Sequence, residues 1–180
     1  MANLTLRVER QMMSEWCWAA VSVSVDRFFR PDSTHTQCEI AGLVLKKICC
    51  PGQLNVQTDA CNVPGFLGSV FGKLHLLEGD PGDKPLPFAD IQKEIDGGRP
   101  VCVLIKWLES DGKPGTRGHF IVIQGYTVTP AQKQFVSIGD PLYGSSSLEY
   151  GQFADPKGGY RDGRGVWSFT YLTGRATGAQ

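Results

Sequence analysis

The chain has 180 residues, and its 18 basic side chains balance 18 acidic ones for a formal net charge of +0. That length suits one domain, with room for two lobes and a real core, and the balance supplies no field that draws the chain to nucleic acid or a membrane surface. The longest apolar runs, such as Phe120 to Ile123, are far too short to span a bilayer. No signal peptide is visible, because Met1 to Glu9 lacks a basic region followed by an apolar one.

Leu4 to Val8 alternates and predicts a short strand. Residues 16 to 29 carry two signals. Val21, Val23 and Val25 alternate as in a strand, whereas Trp18, Val21, Val25, Phe28 and Phe29 share one helical face. Length favours the helix, with Ser14 as its cap and Pro31 as its stop. Thr36 to Ile48 reads as a second helix, broken by Cys49-Cys50-Pro51-Gly52. Residues 53 to 63 read as irregular, and Pro64 to Leu74 as a third, short helix. Gly79 to Pro87 reads as a loop, and its spacing is not that of a phosphate loop. Phe88 to Ile95 suits one more helix, ended by Gly97-Gly98.

The pattern changes at Pro100. Val101 to Trp107, His119 to Val128, Gln134 to Ile138 and Val166 to Leu172 read as strands. Asp111 to Gly115 is a turn, Tyr143 to Gly165 mostly loop, and the chain frays from Gly174. Helices followed by antiparallel strands predict an α+β order. The whole chain, 1–180, reads as one domain with a helical lobe over about 10–98 and a β lobe over about 99–173.

Chemistry concentrates in Gln11 and in Trp16-Cys17-Trp18-Ala19-Ala20. A thiol at a helix start faces free N–H groups and the positive end of the helix dipole, which favour the thiolate, the nucleophilic form. The plainer alternative is a buried, inert cysteine. A nucleophile needs a base and the base an orienting group. Of three histidines, His35 reads as a solvated loop residue and His75 as a partly buried packing residue. His119 follows Gly118 at the mouth of an apolar strand, a good place for a base. Asp140, at the end of the next strand, would lie beside it to hold its second ring nitrogen; the alternative is a turn cap before Pro141.

Gln11, Trp16-Cys17-Trp18-Ala19-Ala20, Gly118-His119-Phe120 and Gly139-Asp140-Pro141, in this order, resemble the papain-like cysteine peptidases. The likeness runs from about Gln11 to Trp167. It is nearest to bacterial members: secreted effector and toxin proteases and the peptidase domains of bacteriocin exporters. It implies a helical lobe and an antiparallel β lobe with a cleft between them. Cys17 would be the nucleophile, His119 the base and later the acid, and Asp140 the orienter where many relatives have Asn. Gln11 and the Cys17 N–H would form the oxyanion hole. Gly-Ser-like residues before the cysteine are absent and the Cys-to-His separation is short, which suits a compact bacterial relative. Trp16, Trp18, Trp107 and Trp167 would line the cleft or fill the core, with Trp16 and Trp18 the candidates for the cleft. The same triad also serves acyl or amide transfer of transglutaminase type, and the fold also serves as a non-catalytic binding module. The likeness further implies a protein or peptide substrate, secretion or delivery to another cell, and, for a toxin, an inhibitory immunity-type partner covering the cleft. It implies no cofactor.

Cys38, Cys49, Cys50 and Cys61 cluster without the C-x₂-C pairs of a zinc site, so no metal is expected. Adjacent Cα atoms lie about 3.8 Å apart, below the usual disulfide range, which disfavours Cys49–Cys50. Two pairings stay open: Cys38–Cys49 with Cys50–Cys61, or Cys38–Cys50 with Cys49–Cys61. Free thiols are the alternative in a reducing compartment. Cys102 alternates into a strand as a core residue.

Overall fold

Two further helices and one face of the sheet pack on α1 (Cys17–Phe29), in which every residue from Cys17 to Asp26 is buried. The computed structural model describes residues 1–50 and 60–175; most of the stretch read as irregular, 53 to 63, lies outside them. Burial on all sides resolves the conflict between strand and helix signals over Val21 to Val25, because a helix at the centre of a core has no polar face to reveal its period. Its buried hydroxyls are satisfied within the helix: Ser22 Oγ donates to the Trp18 carbonyl at 2.7 Å and Ser24 Oγ to that of Ala20 at 2.6 Å. Such back-bonding lets serine sit in a helix interior without an unpaired polar atom. Asp26, fully buried, is met by Arg30 and Ser33 and by His35 Nδ1 at 2.8 Å. Burial alone would raise its pKa, but the bonds from Ser33, His35 and Arg30 outweigh that and hold it low. His35 is therefore a partner of a buried carboxylate rather than a free solvated residue.

Helix α2 (Gln37–Leu45) starts on a capping box, with Thr36 Oγ1 accepting from the Glu39 N–H and Glu39 accepting from the Thr36 N–H. It ends before Ile48 because Lys46 turns left-handed (φ 55). Helix α3 (Leu67–Leu74) is shorter than Pro64 to Leu74 and closes on His75, left-handed and exposed rather than packed. Helix α4 is Phe88–Asp96.

Seven strands form one antiparallel sheet among the described residues. They are β1 (Ala2–Asn3), β2 (Leu77–Gly82), β3 (Val101–Leu108), β4 (Pro114–Val128), β5 (Gln134–Asp140), β6 (Gly144–Glu149) and β7 (Gly165–Thr173), and a short helix, α5 (Tyr150–Phe153), follows β6. The order is β2-β7-β3-β4-β5-β6, with β1 beside β4. The first strand is only Ala2–Asn3, not Leu4 to Val8. The expected loops at Gly79–Pro87 and Tyr143–Gly165 contain β2, β6 and α5. Both strands are sheet edges. β2 pairs β7 through two register shifts, which is how an edge accommodates Pro and Gly. β6 reads Gly-Ser-Ser-Ser-Leu-Glu and is almost wholly exposed, so it shows no apolar alternation.

The strand period of two sorts β3 and β4 into two cores. Cys102, Phe120 and Val122 face α1 to α3, while Val101, Val103, Ile105, Ile121 and Ile123 pack with Ile91 and Ile95 of α4. The result is α+β: a helical N-terminal part on an antiparallel sheet, compatible with a papain-like fold.

Candidate active site

Cys17 is the first residue of α1. Trp16 is the N-cap residue and no side chain caps the helix, so Ser14 does not play that role. The thiol therefore stands at a helix N-terminus whose first N–H groups have no partner within the helix. It opens on a cleft of about 620 Å³ whose other walls include Pro64, Trp107, His119 and Tyr143.

His119 reaches the same cleft from β4. β3 pairs with β4 at this level, Ile105 opposite His119, whereas β5 pairs only from Val122 onward. That leaves space beside His119 for the end of β5 to turn in. His119 Nε2 lies 2.9 Å from Asp140 Oδ1, and Cys17 lines the same cleft. With Nε2 committed to Asp140, Nδ1 is the ring nitrogen left for the thiol. Trp107 stacks on the imidazole (6.1 Å, 22°) and Tyr143 meets it edge-on at 6.0 Å. Burial by itself would lower the imidazole pKa. The hydrogen bond and charge of Asp140, and then the influence of Cys17, outweigh it and hold His119 up at about 9.

Asp140 is saturated. Oδ1 accepts from His119, from Leu142 N at 2.7 Å and from Tyr143 N at 2.8 Å; Oδ2 accepts from the Tyr160 hydroxyl. It thus caps the turn at Pro141 and faces the histidine at once. Burial would raise its pKa, but the bond and charge of His119, then Tyr160 and the Tyr143 N–H, keep it below the ordinary carboxylate value.

Gln11 comes close through its backbone, whose N–H donates to Pro141 O at 2.9 Å. Its Nε2 donates to Met13 O (2.9 Å) and Ser14 O (2.8 Å), and its buried Oε1 has no partner. The amide is beside the loop that enters α1, with its hydrogens turned onto that loop.

The two tryptophans that flank Cys17 differ. Trp16 is fully buried with its indole N–H on Cys61 O at 2.7 Å, so it is a core residue and not a wall of the cleft. Trp18 donates to Val63 O at 3.1 Å, and its ring floors a recess next to Cys17. Gly65 lies flat on that ring, where a Cβ would fall 2.5 Å from it. The segment 60–66 is thus a strap along one side of the cleft. Asn62 joins it to the loop before Cys17 by accepting from Glu15 N and donating to Ser14 Oγ. Disulfides Cys38–Cys50 and Cys49–Cys61 anchor its start to α2, which selects one of the two pairings left open by the sequence. Cys17 and Cys102 are free and buried. Of the remaining tryptophans, Trp107 lines the cleft and Trp167 belongs to the core.

Sequence reasoning missed Tyr160, which lies in the stretch read as loop. An isolated aromatic among glycines gives no periodic signal.

Among the described residues no cluster of His, Cys, Asp and Glu is arranged to hold a metal ion, and no helix is long and apolar enough to cross a membrane. The model of the Peptidase_C39 like family matches residues 78–167, half of the chain. The match contains His119, Asp140 and Tyr160, whereas Gln11 and Cys17 precede it. No curated protein matches the chain. On the family match and the α+β fold together, the chain belongs to the Peptidase_C39 like family, a family of papain-like cysteine peptidases.

Proposed function

We propose that the chain hydrolyses peptide bonds with Cys17 as nucleophile, His119 as proton carrier and Asp140 as orienter. The observation that carries this reading is the position of one imidazole: its Nε2 on Asp140, and its ring in the wall of the cleft that Cys17 also lines. The Cys17 thiolate attacks the scissile carbonyl, and the new C–S bond puts negative charge on the carbonyl oxygen. N–H groups at the start of α1 are suited to receive that charge, and Gln11 is the candidate side-chain donor. His119, as imidazolium, gives its proton to the leaving amine. It then takes a proton from water, which attacks the thioester and regenerates the thiol. Asp140 stays ionised throughout and holds the ring in one orientation.

The two disulfides fit an oxidising compartment. With the bacterial likeness, they support a protein secreted or delivered to another cell as an effector or toxin. A cognate inhibitory protein would act by covering the cleft. Incubation with a mixed peptide library, read by mass spectrometry, tests the reaction. New peptide termini should appear, and should vanish after iodoacetamide or in Cys17→Ala. Cleavage that persists in Cys17→Ala overturns the proposal.

A further inference from the structure

We propose that Tyr160 is a positioning residue of this site: by donating its hydroxyl to Asp140 Oδ2 it fixes which carboxylate oxygen faces His119. The proposal rests on the Cys17–His119–Asp140 reading. The carboxylate is asymmetrically loaded. Oδ1 takes three donors, His119 and the N–H groups of Leu142 and Tyr143, while Oδ2 is held by the phenol. Asp140 is buried, so without the phenol Oδ2 would lack both a donor and water. The carboxylate could then tilt toward the donors crowded on Oδ1, and the imidazole would lose its fixed direction.

The phenol is delivered by rigid backbone. Tyr160 exchanges two bonds with Gly165, N–H to O at 3.0 Å and O to N–H at 2.9 Å. Gly159 lies so close to the end of α5 that a Cβ there would fall 1.7 Å from the Gln152 carbonyl oxygen. The ring itself stacks on Trp107 at 6.4 Å, and Trp107 in turn stacks on His119. Phe153 closes the far side at 5.9 Å. Tyr160 therefore touches both the orienting carboxylate and the aromatic that covers the base. Burial, then the bond and charge of Asp140, push its ionisation far above the ordinary phenol value, so it remains a donor wherever the enzyme works.

The test is a double-mutant cycle on the rate of Cys17 alkylation by iodoacetamide at pH 6, in wild type, Tyr160→Phe, Asp140→Asn and the double variant. Tyr160→Phe should slow alkylation roughly tenfold, the size that loss of one charge-assisted hydrogen bond allows. It should cause no further slowing on the Asp140→Asn background. An unchanged rate, or the same factor on both backgrounds, overturns the proposal and makes Tyr160 a packing residue. Should Tyr160→Phe fail to fold, NMR on the wild type decides instead. A slowly exchanging, downfield Tyr160 hydroxyl proton that moves upfield in Asp140→Asn supports the role, and its absence overturns it. Peptide hydrolysis is followed in parallel. Wild type that never cleaves ends the peptidase reading, while the alkylation cycle still decides Tyr160.

Discussion

The backbone N–H of Gln11 donates to the carbonyl of Pro141 across 2.9 Å, so the residue ahead of the loop into Cys17 is fastened to the turn that follows Asp140. The Gln11 amide then braces Met13 and Ser14, leaving a buried Oε1 unpaired. An unpaired buried acceptor is costly, which suits a side chain that rearranges when substrate arrives. To serve the oxyanion, Nε2 has to trade one of its two carbonyl partners for it.

Gln11→Ala should therefore lower kcat by about 10²–10³, the range for one oxyanion donor, with KM little changed. Steady-state kinetics on a cleaved peptide and a thermal melt separate the roles. A lower melting temperature with kcat intact assigns Gln11 to bracing the loop alone.

His119→Ala should abolish turnover, and Asp140→Asn should cost less, because an asparagine keeps an acceptor toward Nε2. The pH dependence gives a sharper test. His119 is held at about 9, above the ordinary imidazole value of about 6.5. Its protonated form stabilises the fold fully below about 6.5, and that stability is lost as pH rises through about 9. Activity should fall over the same upper limb, since the leaving amine needs the proton. Asp140→Asn removes a charge that raises this pKa, so the limb should move to lower pH. A limb that stays near 9 in Asp140→Asn would separate Asp140 from the base.

The elements that share one buried stripe or alternate between two cores were legible in sequence: α2, α4, β3, β4, β5 and β7 lie within a few residues of expectation. α1 was legible only through its length, since burial on all faces removed its periodicity. β2 and β6 were not legible, because edge strands take Pro, Gly and Ser that a central strand excludes. His119 and Asp140 stood out because His119 opens the apolar run of β4 and Asp140 ends β5, and the hairpin register brings them together. Tyr160 did not, because the glycine-rich backbone that delivers it reads locally as loop. Trp16 looked like a cleft residue only from its place beside Cys17; a one-residue step along a helix turns its side chain by about 100°, toward Cys61 rather than the cleft.

Disulfide mapping should find Cys38–Cys50 and Cys49–Cys61 in unreduced protein. Cys50 is left-handed (φ 59), and the two neighbouring cysteines bond to different partners, Cys49 to Cys61 and Cys50 to Cys38. Partial reduction with differential alkylation, followed by fragmentation between Cys49 and Cys50, distinguishes this pairing from the other. Replacing Cys49 and Cys61 with Ser should destabilise the fold by roughly 2–4 kcal/mol. It should also lower turnover, since Cys61 and its neighbours hold Trp16, Trp18 and Glu15 beside the nucleophile. Alkylation of all four of Cys38, Cys49, Cys50 and Cys61 in unreduced protein would refute the pairing.

Cys17 and Cys102 are both free and both buried, yet they should differ sharply in reactivity. Cys102 lies in β3 with its side chain in the core, and burial pushes its thiol far above the ordinary range. No donor compensates, so it should stay protonated and inert. Cys17 borders a cleft, starts a helix and shares that cleft with His119, a histidine held in its charged form. Brief iodoacetamide labelling at pH 6, read by mass spectrometry after reduction and a second label, should mark Cys17 alone. His119→Ala should slow that labelling by at least tenfold, because the thiolate loses its counter-charge. Equal labelling of the two cysteines in native protein, or no response to His119→Ala, would show that no thiolate–imidazolium pair exists.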